Sequence, residues 1–251
     1  MSSLLIERSG AFIFQPFLER GALASFSTRA WNFTSESGEE GKEKKLWGDF
    51  CTTVGAPLER LAHFKQVHGE RVVFIQRHYK SPGFPRADKV REEADAAITS
   101  EPNRPIAVLT ADCAPVFFLD SKNHAVGIAH AGWRGAEKKL PSKMVKEMWA
   151  QFETQPKELL VALGPLIRSC CYEVGPEFYP RFPECVEKRG LKNFLDLKKV
   201  IVNDLLKAGV RSENILDSEL CTACETNQFF SYRKEGDKTG RLCSLIMIQS
   251  N

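Results

Sequence analysis

Histidine and cysteine are the residues whose placement in this chain could do chemistry. There are five histidines and eight cysteines in 251 residues. The histidines, His63, His68, His78, His124 and His130, all fall in one stretch, so imidazole chemistry must be assembled from that part of the chain. His130 closes the run HAVGIAHA (124–131) and is followed by the loop AGWRG. Cys113 lies in the bend Ala111–Pro115, between the runs PIAVLT (105–110) and PVFFLD (115–120). Pro115 restricts Ala114 to extended geometry, which puts the thiol on a stiff corner. His68 stands in QVHGER, just ahead of RVVFIQ (71–76), and Gly69 lets the backbone pass close to a neighbour. Two imidazoles and a thiol at strand ends make a three-ligand set of the kind catalytic zinc uses, with a fourth position open for water or substrate. Ordinary packing is the alternative. A buried cysteine is usually a small hydrophobe, and no local motif such as H-E-x-x-H joins the three.

The remaining signals are weaker. Cys221 and Cys224 form a C-x-x-C, but without a second pair it argues against structural zinc. A thioredoxin-type motif would follow a strand and start a helix, whereas ETNQFFSY after it reads as strand. The vicinal pair Cys170–Cys171 reads as packing. His68-Gly69-Glu70 with the distant C-x-x-C resembles the zinc deaminase signature only superficially, since Leu220 replaces its proline and the gap is far too long. No Walker A loop or G-x-G-x-x-G is present. Arginines follow small or polar residues in four turns, at Arg29, Arg134, Arg233 and Arg241. Their forked guanidinium suits phosphate or carboxylate, although singly each is more often a surface charge or a clamp.

The elements that must position these groups can be read in outline. RVVFIQ, PIAVLT, PVFFLD, HAVGIAHA and LLVALG (159–164) are short apolar runs bounded by Pro, Gly or charge, and read as strands. Alternation puts Val126, Ile128 and His130 on one face of HAVGIAHA and the small Ala125, Gly127 and Ala129 on the other. Residues 138–152 place Leu140, Met144, Met148 and Phe152 four apart, with Val145 and Trp149 alongside, an amphipathic helix with Pro141 in its first turn. A further helix spans 197–208, capped by Asp196 and stopped at Gly209. Residues 34–45 read as a polar surface loop leading into a helix that carries Leu46, Trp47, Phe50 and Val54. The C-terminal stretch FFSYRKEGDKTGRLCSLIMIQ reads as a hairpin-like pair of strands. Strands alternating with helices give an α/β (α+β) layered fold, with 1–251 as a single domain.

Composition excludes several classes. Apolar residues make up 43% and charged residues 27%, which rules out disorder, collagen and coiled coil. The net charge of +3 is too small to signal a nucleic-acid partner. No apolar run reaches the ~18 residues of a membrane helix, and MSSLLIERSGAFIF lacks the marks of an export signal. A cytoplasmic setting with free thiols is expected.

The motifs QVHG, TADCAPV, GIAHAGWRG, LGPLIRSCCYEVG, FFSYR and TGR, in that order and preceded by ASFSTR (24–29), resemble the YfiH or polyphenol-oxidase (laccase-domain) family. The likeness runs from about residue 22 to the C-terminus. It departs at 30–51, where AWNFTSES and KKLWGDFC replace the family's Gly-rich turn and its Asn-Arg pair. The resemblance implies a single-domain layered sandwich with mixed sheets. It implies a catalytic zinc held by His68, Cys113 and His130. It also implies purine nucleoside phosphorylase activity on adenosine, inosine, guanosine or methylthioadenosine, with deamination of adenosine. The implied partners are nucleosides and phosphate, and a monomer with no nucleic-acid or membrane partner is expected.

These residues suit both reactions. Water on zinc has its pKa lowered to about 7 and could attack C6 of adenine, while zinc and arginines could hold phosphate. Arg29 and Arg134, then Arg233, are the expected phosphate ligands. Asp112 could orient a ligand or carry a proton, against a simple Asx-type turn bond, and Glu173 is a further acid/base candidate. Two other enzyme readings stay open: a metal-free Cys–His hydrolase of amides or esters, and phenol oxidation as a side activity of a copper-loaded site. A degenerate binding protein is the non-catalytic alternative.

Overall fold

The computed structural model describes residues 4–34, 40–76, 79 and 92–250. The first half runs β1 (Leu5–Arg8), β2 (Ala11–Phe14), α1 (Gln15–Leu18), β3 (Ala22–Ser27), α2 (Glu40–Val54), β4 (Ala62–His63), β5 (Val72–Ile75), β6 (Ala96–Thr99), β7 (Ile106–Thr110), β8 (Ala114–Asp120) and β9 (Ala125–Ala131). Then come α3 (Trp133–Glu137), α4 (Leu140–Phe152), β10 (Leu160–Leu163), β11 (Glu173–Val174), α5 (Phe178–Arg181), β12 (Val186–Arg189), β13 (Lys192–Leu195), α6 (Leu197–Lys207), β14 (Ile215–Asp217), α7 (Tyr232–Glu235) and β15 (Leu242–Ile248). One mixed sheet has the order β1-β2-β3-β15-β7-β4, a second has β14-β10-β8-β9-β6-β5, and β11-β13-β12 form a small antiparallel sheet.

The two large sheets pack face to face, and strand alternation shows how. Phe26 of β3, Leu242 and Ile246 of β15, Phe117 and Leu119 of β8, and Val126 and Ile128 of β9 share the core between the sheets. Their neighbours point outward. Leu23, Cys243, Leu245 and Met247 meet Trp47, Phe50 and Val54 of α2. Val116, Phe118, Ala125 and Ala129 meet Leu140, Met144 and Met148 of α4 and Leu197 and Ile201 of α6. The result is a single-domain α/β sandwich with mixed sheets and helices on both outer faces. Central strands buried on both faces carry apolar residues throughout, which is why they read as unbroken runs.

The sequence predicted β5, β7, β8, β9, β10, α4 and α6 to within a residue or two. Asp196 caps α6 by accepting from the Lys199 N–H at 2.9 Å, and Gly209 follows it at φ 93°. Three expectations fail. The polar segment 34–45 is helical from Glu40 onward. Phe229 and Phe230 are buried from a turn, ahead of the short helix α7, so the C-terminal hairpin does not exist; β15 pairs instead with β3 and β7. ETNQFFSY is likewise not a strand. The atypical 30–51 segment has its own structural logic. Phe33 packs on Trp47 and Phe50, with ring centroids 4.7 and 5.3 Å apart, and thereby fastens α2 to the sheet.

Gly127 shows how tight the outer layer is. A Cβ there would lie 2.6 Å from the Met144 Cε, 2.9 Å from Ile98 and 3.1 Å from the Ala97 carbonyl oxygen. Met144 is flexible, but the strand behind it is not. Gly127→Ala is expected to cost about 1–3 kcal/mol of stability through overpacking, measurable by urea unfolding. A variant as stable as the parent would mean that α4 stands off the sheet.

Candidate metal centre

Strand register builds the site. β8 and β9 are antiparallel with Ala114 opposite Ala131 and Pro115 opposite His130, so the chain leaving each strand brings Cys113 against Gly132. β6 flanks β9 on its other side with Ala96 opposite Ala129, which sets Asp95 across from His130. The His130 N–H donates to the Asp95 carbonyl at 2.7 Å, and the His130 Nδ1 lies 2.8 Å from the Asp95 Oδ1. Asp95 also fixes the third segment. Its carboxylate accepts from the backbone N–H groups of Val67 (3.2 Å), His68 (2.9 Å) and Gly69 (2.7 Å). That cradle holds His68 at φ 55°, a left-handed backbone uncommon for any side chain but glycine.

The three strand-end residues therefore converge. One ligand atom each from His68, Cys113 and His130 lies within 4.8 Å of the others. Gly132 leaves room for the sulfur, since a Cβ there would sit 2.6 Å from the Cys113 Sγ. The donor set is one soft thiolate and two imidazoles, suited to zinc or copper. Asp95 engages the Nδ1 of His130 and so leaves Nε2 for an ion, the second contact that most metal-bound histidines make. These residues fit a metal ion.

Electrostatics agree with that arrangement. Burial alone would raise the Cys113 thiol. The charge of His130 and hydrogen bonds from His130 and His68 outweigh it and bring the thiol down to about 6. His130 moves the other way, to about 9: burial opposes its charge, but the Cys113 thiolate and Asp95 carboxylate prevail. Without metal, Cys113 is then a thiolate beside an imidazolium between those two values. Because the acid is depressed, its reactive form appears on the low side of the ordinary thiol range. Alkylation of Cys113 by iodoacetamide in metal-depleted protein is expected to rise as pH passes about 6 and to be suppressed by zinc. A rise centred near 9.0 would show that the pair does not form.

The site opens into a cavity of about 780 Å³. Phe33, Phe64, Leu109, Ile167, Tyr172 and Tyr232 give it apolar and aromatic walls, and Lys65, Arg134, Arg233 and Arg241 give it positive charge. Arg134 stacks on Trp133, 4.5 Å from the ring centroid. Arg233 lies 5.1 Å from the Tyr172 ring centroid and donates to the Glu173 carbonyl at 2.6 Å.

Other expected site residues are placed differently. Arg29 does not line the cavity. It donates to the Thr226 carbonyl and to the Glu235 carboxylate (2.7 Å), so it clamps the turn that carries Arg233. Glu173 also stands outside, paired with Lys192 at 2.8 Å. Asp112 lines the cavity at φ 85°, with its carboxylate committed to the Thr222 hydroxyl and the Arg233 N–H, both at 2.6 Å. That makes it the tie between the Cys113 bend and α7, more than an Asx turn. Asp95 is the functional residue the sequence reading missed. Its one signal is a carboxylate set directly before the apolar run AAIT.

A mixed α/β sandwich with a Cys/His cluster at the end of its central strands defines the class. Residues 25–249 match the family described as multi-copper polyphenol oxidoreductase laccase, and the chain belongs to it. It is 33% identical over 199 residues to a purine nucleoside phosphorylase YlmD of Geobacillus stearothermophilus, covering 76% of this chain and 73% of that protein. It is 32% identical over 197 residues to an adenosine deaminase RL5 of an unknown prokaryotic organism, covering 75% of each. The crystal structure of YlmD from Geobacillus stearothermophilus superposes with a TM-score of 0.91 at 27% identity, over 99% of this chain and all of the other. Among the described residues, no helix is long and apolar enough to cross a membrane.

Proposed function

We propose that this chain is a zinc-dependent purine nucleoside phosphorylase that also deaminates adenosine. One observation carries the reading: His68, Cys113 and His130, from three separate segments, converge within 4.8 Å on a basic, aromatic cavity. These three would hold the ion, and zinc there would act as a Lewis acid that polarises an oxygen and offsets anionic charge. The protein's own groups do the rest. Asp95 fixes the orientation of His130 and the backbone of His68. Tyr172 and Tyr232, in the cavity wall, offer aromatic surface to a purine. Arg134 and Arg233 hold phosphate with forked N–H donors. Asp112 sets the Arg233 turn against the Cys113 bend.

The test is to incubate zinc-loaded protein with adenosine and phosphate and to follow adenine and inosine. Both should form, and neither should exceed a Cys113→Ala control if the reading is wrong. Arg134 has no carboxylate partner among the described residues, so its charge is available to the ligand. Arg134→Ala is expected to raise the KM for phosphate roughly ten- to a hundredfold, the loss of one hydrogen bond to a charged group. An unchanged KM would remove Arg134 from the phosphate site. The proposed setting is cytoplasmic and monomeric, with residues 1–251 as one unit.

A second reading draws on the order Asp95, His130, Cys113, which also suits a thiolate nucleophile with an oriented base. Such a hydrolase would hold no stoichiometric zinc on His68, Cys113 and His130 and would yield a Cys113 adduct with ester or amide substrates. The family's descriptive name suggests copper oxidation. Five histidines without an H-x-H pair cannot supply a trinuclear cluster and a blue site together. His124 also lies in the turn ahead of β9, at the opposite end of that strand from His130. We therefore assign phenol oxidation only to copper standing in for zinc on the same three residues.

A further inference from the structure

We propose that Cys170, Cys171, Cys221 and Cys224 form a second, structural metal site, for zinc or another thiophilic divalent cation. In the sequence these are a vicinal pair and a solitary C-x-x-C, neither of which makes a site alone. The fold joins them. Their four sulfurs all lie within 4.8 Å of one another. Cys170 is 3.6 Å from Cys221 and 3.4 Å from Cys224, and Cys171 is 3.3 Å from Cys224. All four are free thiols. Zinc–sulfur bonds of about 2.3 Å in a tetrahedron separate sulfurs by about 3.8 Å. Three of the six sulfur–sulfur separations thus lie within about 0.5 Å of those of a four-thiolate shell, and none of the six exceeds 4.8 Å.

Its surroundings hold the two segments in place. Two guanidinium groups stand by. Arg168, paired with Asp217, donates to the Leu220 carbonyl at 3.1 Å beside Cys221, and Arg189, paired with Glu187, donates to the Ser169 carbonyl at 3.0 Å beside Cys170, so both fix the backbone that carries the cysteines. A complete set of four protein ligands leaves no open position, so the role is structural rather than catalytic.

The site also has a task. It fastens the segment after β10 to the segment after β14, 51 residues apart. Tyr172, next to Cys171, lines the substrate cavity. Thr222, next to Cys221, holds the Asp112 carboxylate beside Cys113. A cation on the four sulfurs would lock both neighbours in place.

The experiment separates this site from the first one. Protein purified under reducing conditions, without chelator, is analysed for zinc by mass spectrometry as parent, as Cys113→Ala and as Cys170→Ser/Cys224→Ser. The expected result is that Cys113→Ala retains one zinc per chain, and that the double variant binds one fewer than the parent. Cobalt-substituted Cys113→Ala should show intense thiolate-to-cobalt charge-transfer absorption and tetrahedral d–d bands, a readout that needs no double variant. Absence of those bands overturns the proposal, as does a zinc count unchanged by the double substitution. Disulfides among the four cysteines in freshly reduced, zinc-supplied protein would also overturn it. Failure of the His68 site alone would leave one zinc that persists in Cys113→Ala, which supports the second site.

Discussion

Asp95→Asn is expected to weaken zinc binding at the His68–Cys113–His130 site roughly 10- to 100-fold, the usual cost of losing a histidine-orienting partner. The carboxylate is fully buried and serves four donors at once: the His130 ring and the N–H groups of Val67, His68 and Gly69. An amide of the same shape offers one acceptor and turns its NH2 on a donor. It also ceases to fix which ring nitrogen of His130 carries the proton. Asp95→Ala goes further and strands those backbone donors at about 1–3 kcal/mol each, which approaches the whole stability of an ordinary domain. The acid dependence follows in sign. Burial works to raise the Asp95 carboxyl, but the His130 hydrogen bond and the backbone N–H groups of Gly69 and Val67 outweigh it and hold it low. A depressed carboxyl stabilises the fold above the ordinary carboxylate range, and that contribution fades as pH falls through its lowered value. Chelator competition and thermal melts of Asp95→Asn across pH measure both effects. Parental zinc affinity in Asp95→Asn would remove Asp95 from the site.

That residue also marks where sequence reading stops. His68, Cys113 and His130 were legible because each sits at the edge of a recognisable strand, beside a proline or glycine that constrains it. Asp95 precedes a strand too, but its role depends on β6 lying antiparallel to β9 with Ala96 opposite Ala129. Nothing local encodes that pairing. The four-cysteine cluster was hidden for the same reason, as two short motifs that meet only through the fold. Local composition misled at FFSYR. Its aromatics favour strands, yet here the Asp112 carboxylate takes the Arg233 N–H and draws the chain into a helical turn. Arg29 has the residue type and turn setting of a phosphate ligand, but Glu235 occupies its guanidinium. The layers were readable because alternation and helical spacing are local, whereas partners across the sandwich are not.

Gly132→Ala is expected to abolish zinc binding at the first site while leaving the protein folded. Gly132 has φ −78° and ψ 179°, extended backbone that alanine adopts freely, so conformation is no obstacle. The obstacle is the sulfur. A Cβ would stand 2.6 Å from the Cys113 Sγ, and ordinary contact would require the thiol to retreat by about 1 Å. Metal–ligand distances tolerate only about 0.2 Å, so a displacement of that size takes the thiolate out of the shell. The folding cost is confined to one side chain that can rotate, at most about 1–3 kcal/mol. Gly135→Ala is the control, the same substitution three residues along in the same motif. Its Cβ would meet Leu140 at 3.4 Å and the Gly69 and His130 carbonyls at 3.5 and 3.6 Å, ordinary contacts that spare the sulfur. Zinc content should therefore fall by one per chain and nucleoside turnover should collapse in Gly132→Ala, and both should survive in Gly135→Ala. Full zinc at this site in both variants would mean that the Cys113 sulfur does not bind the metal, and the thiolate-nucleophile reading would take its place.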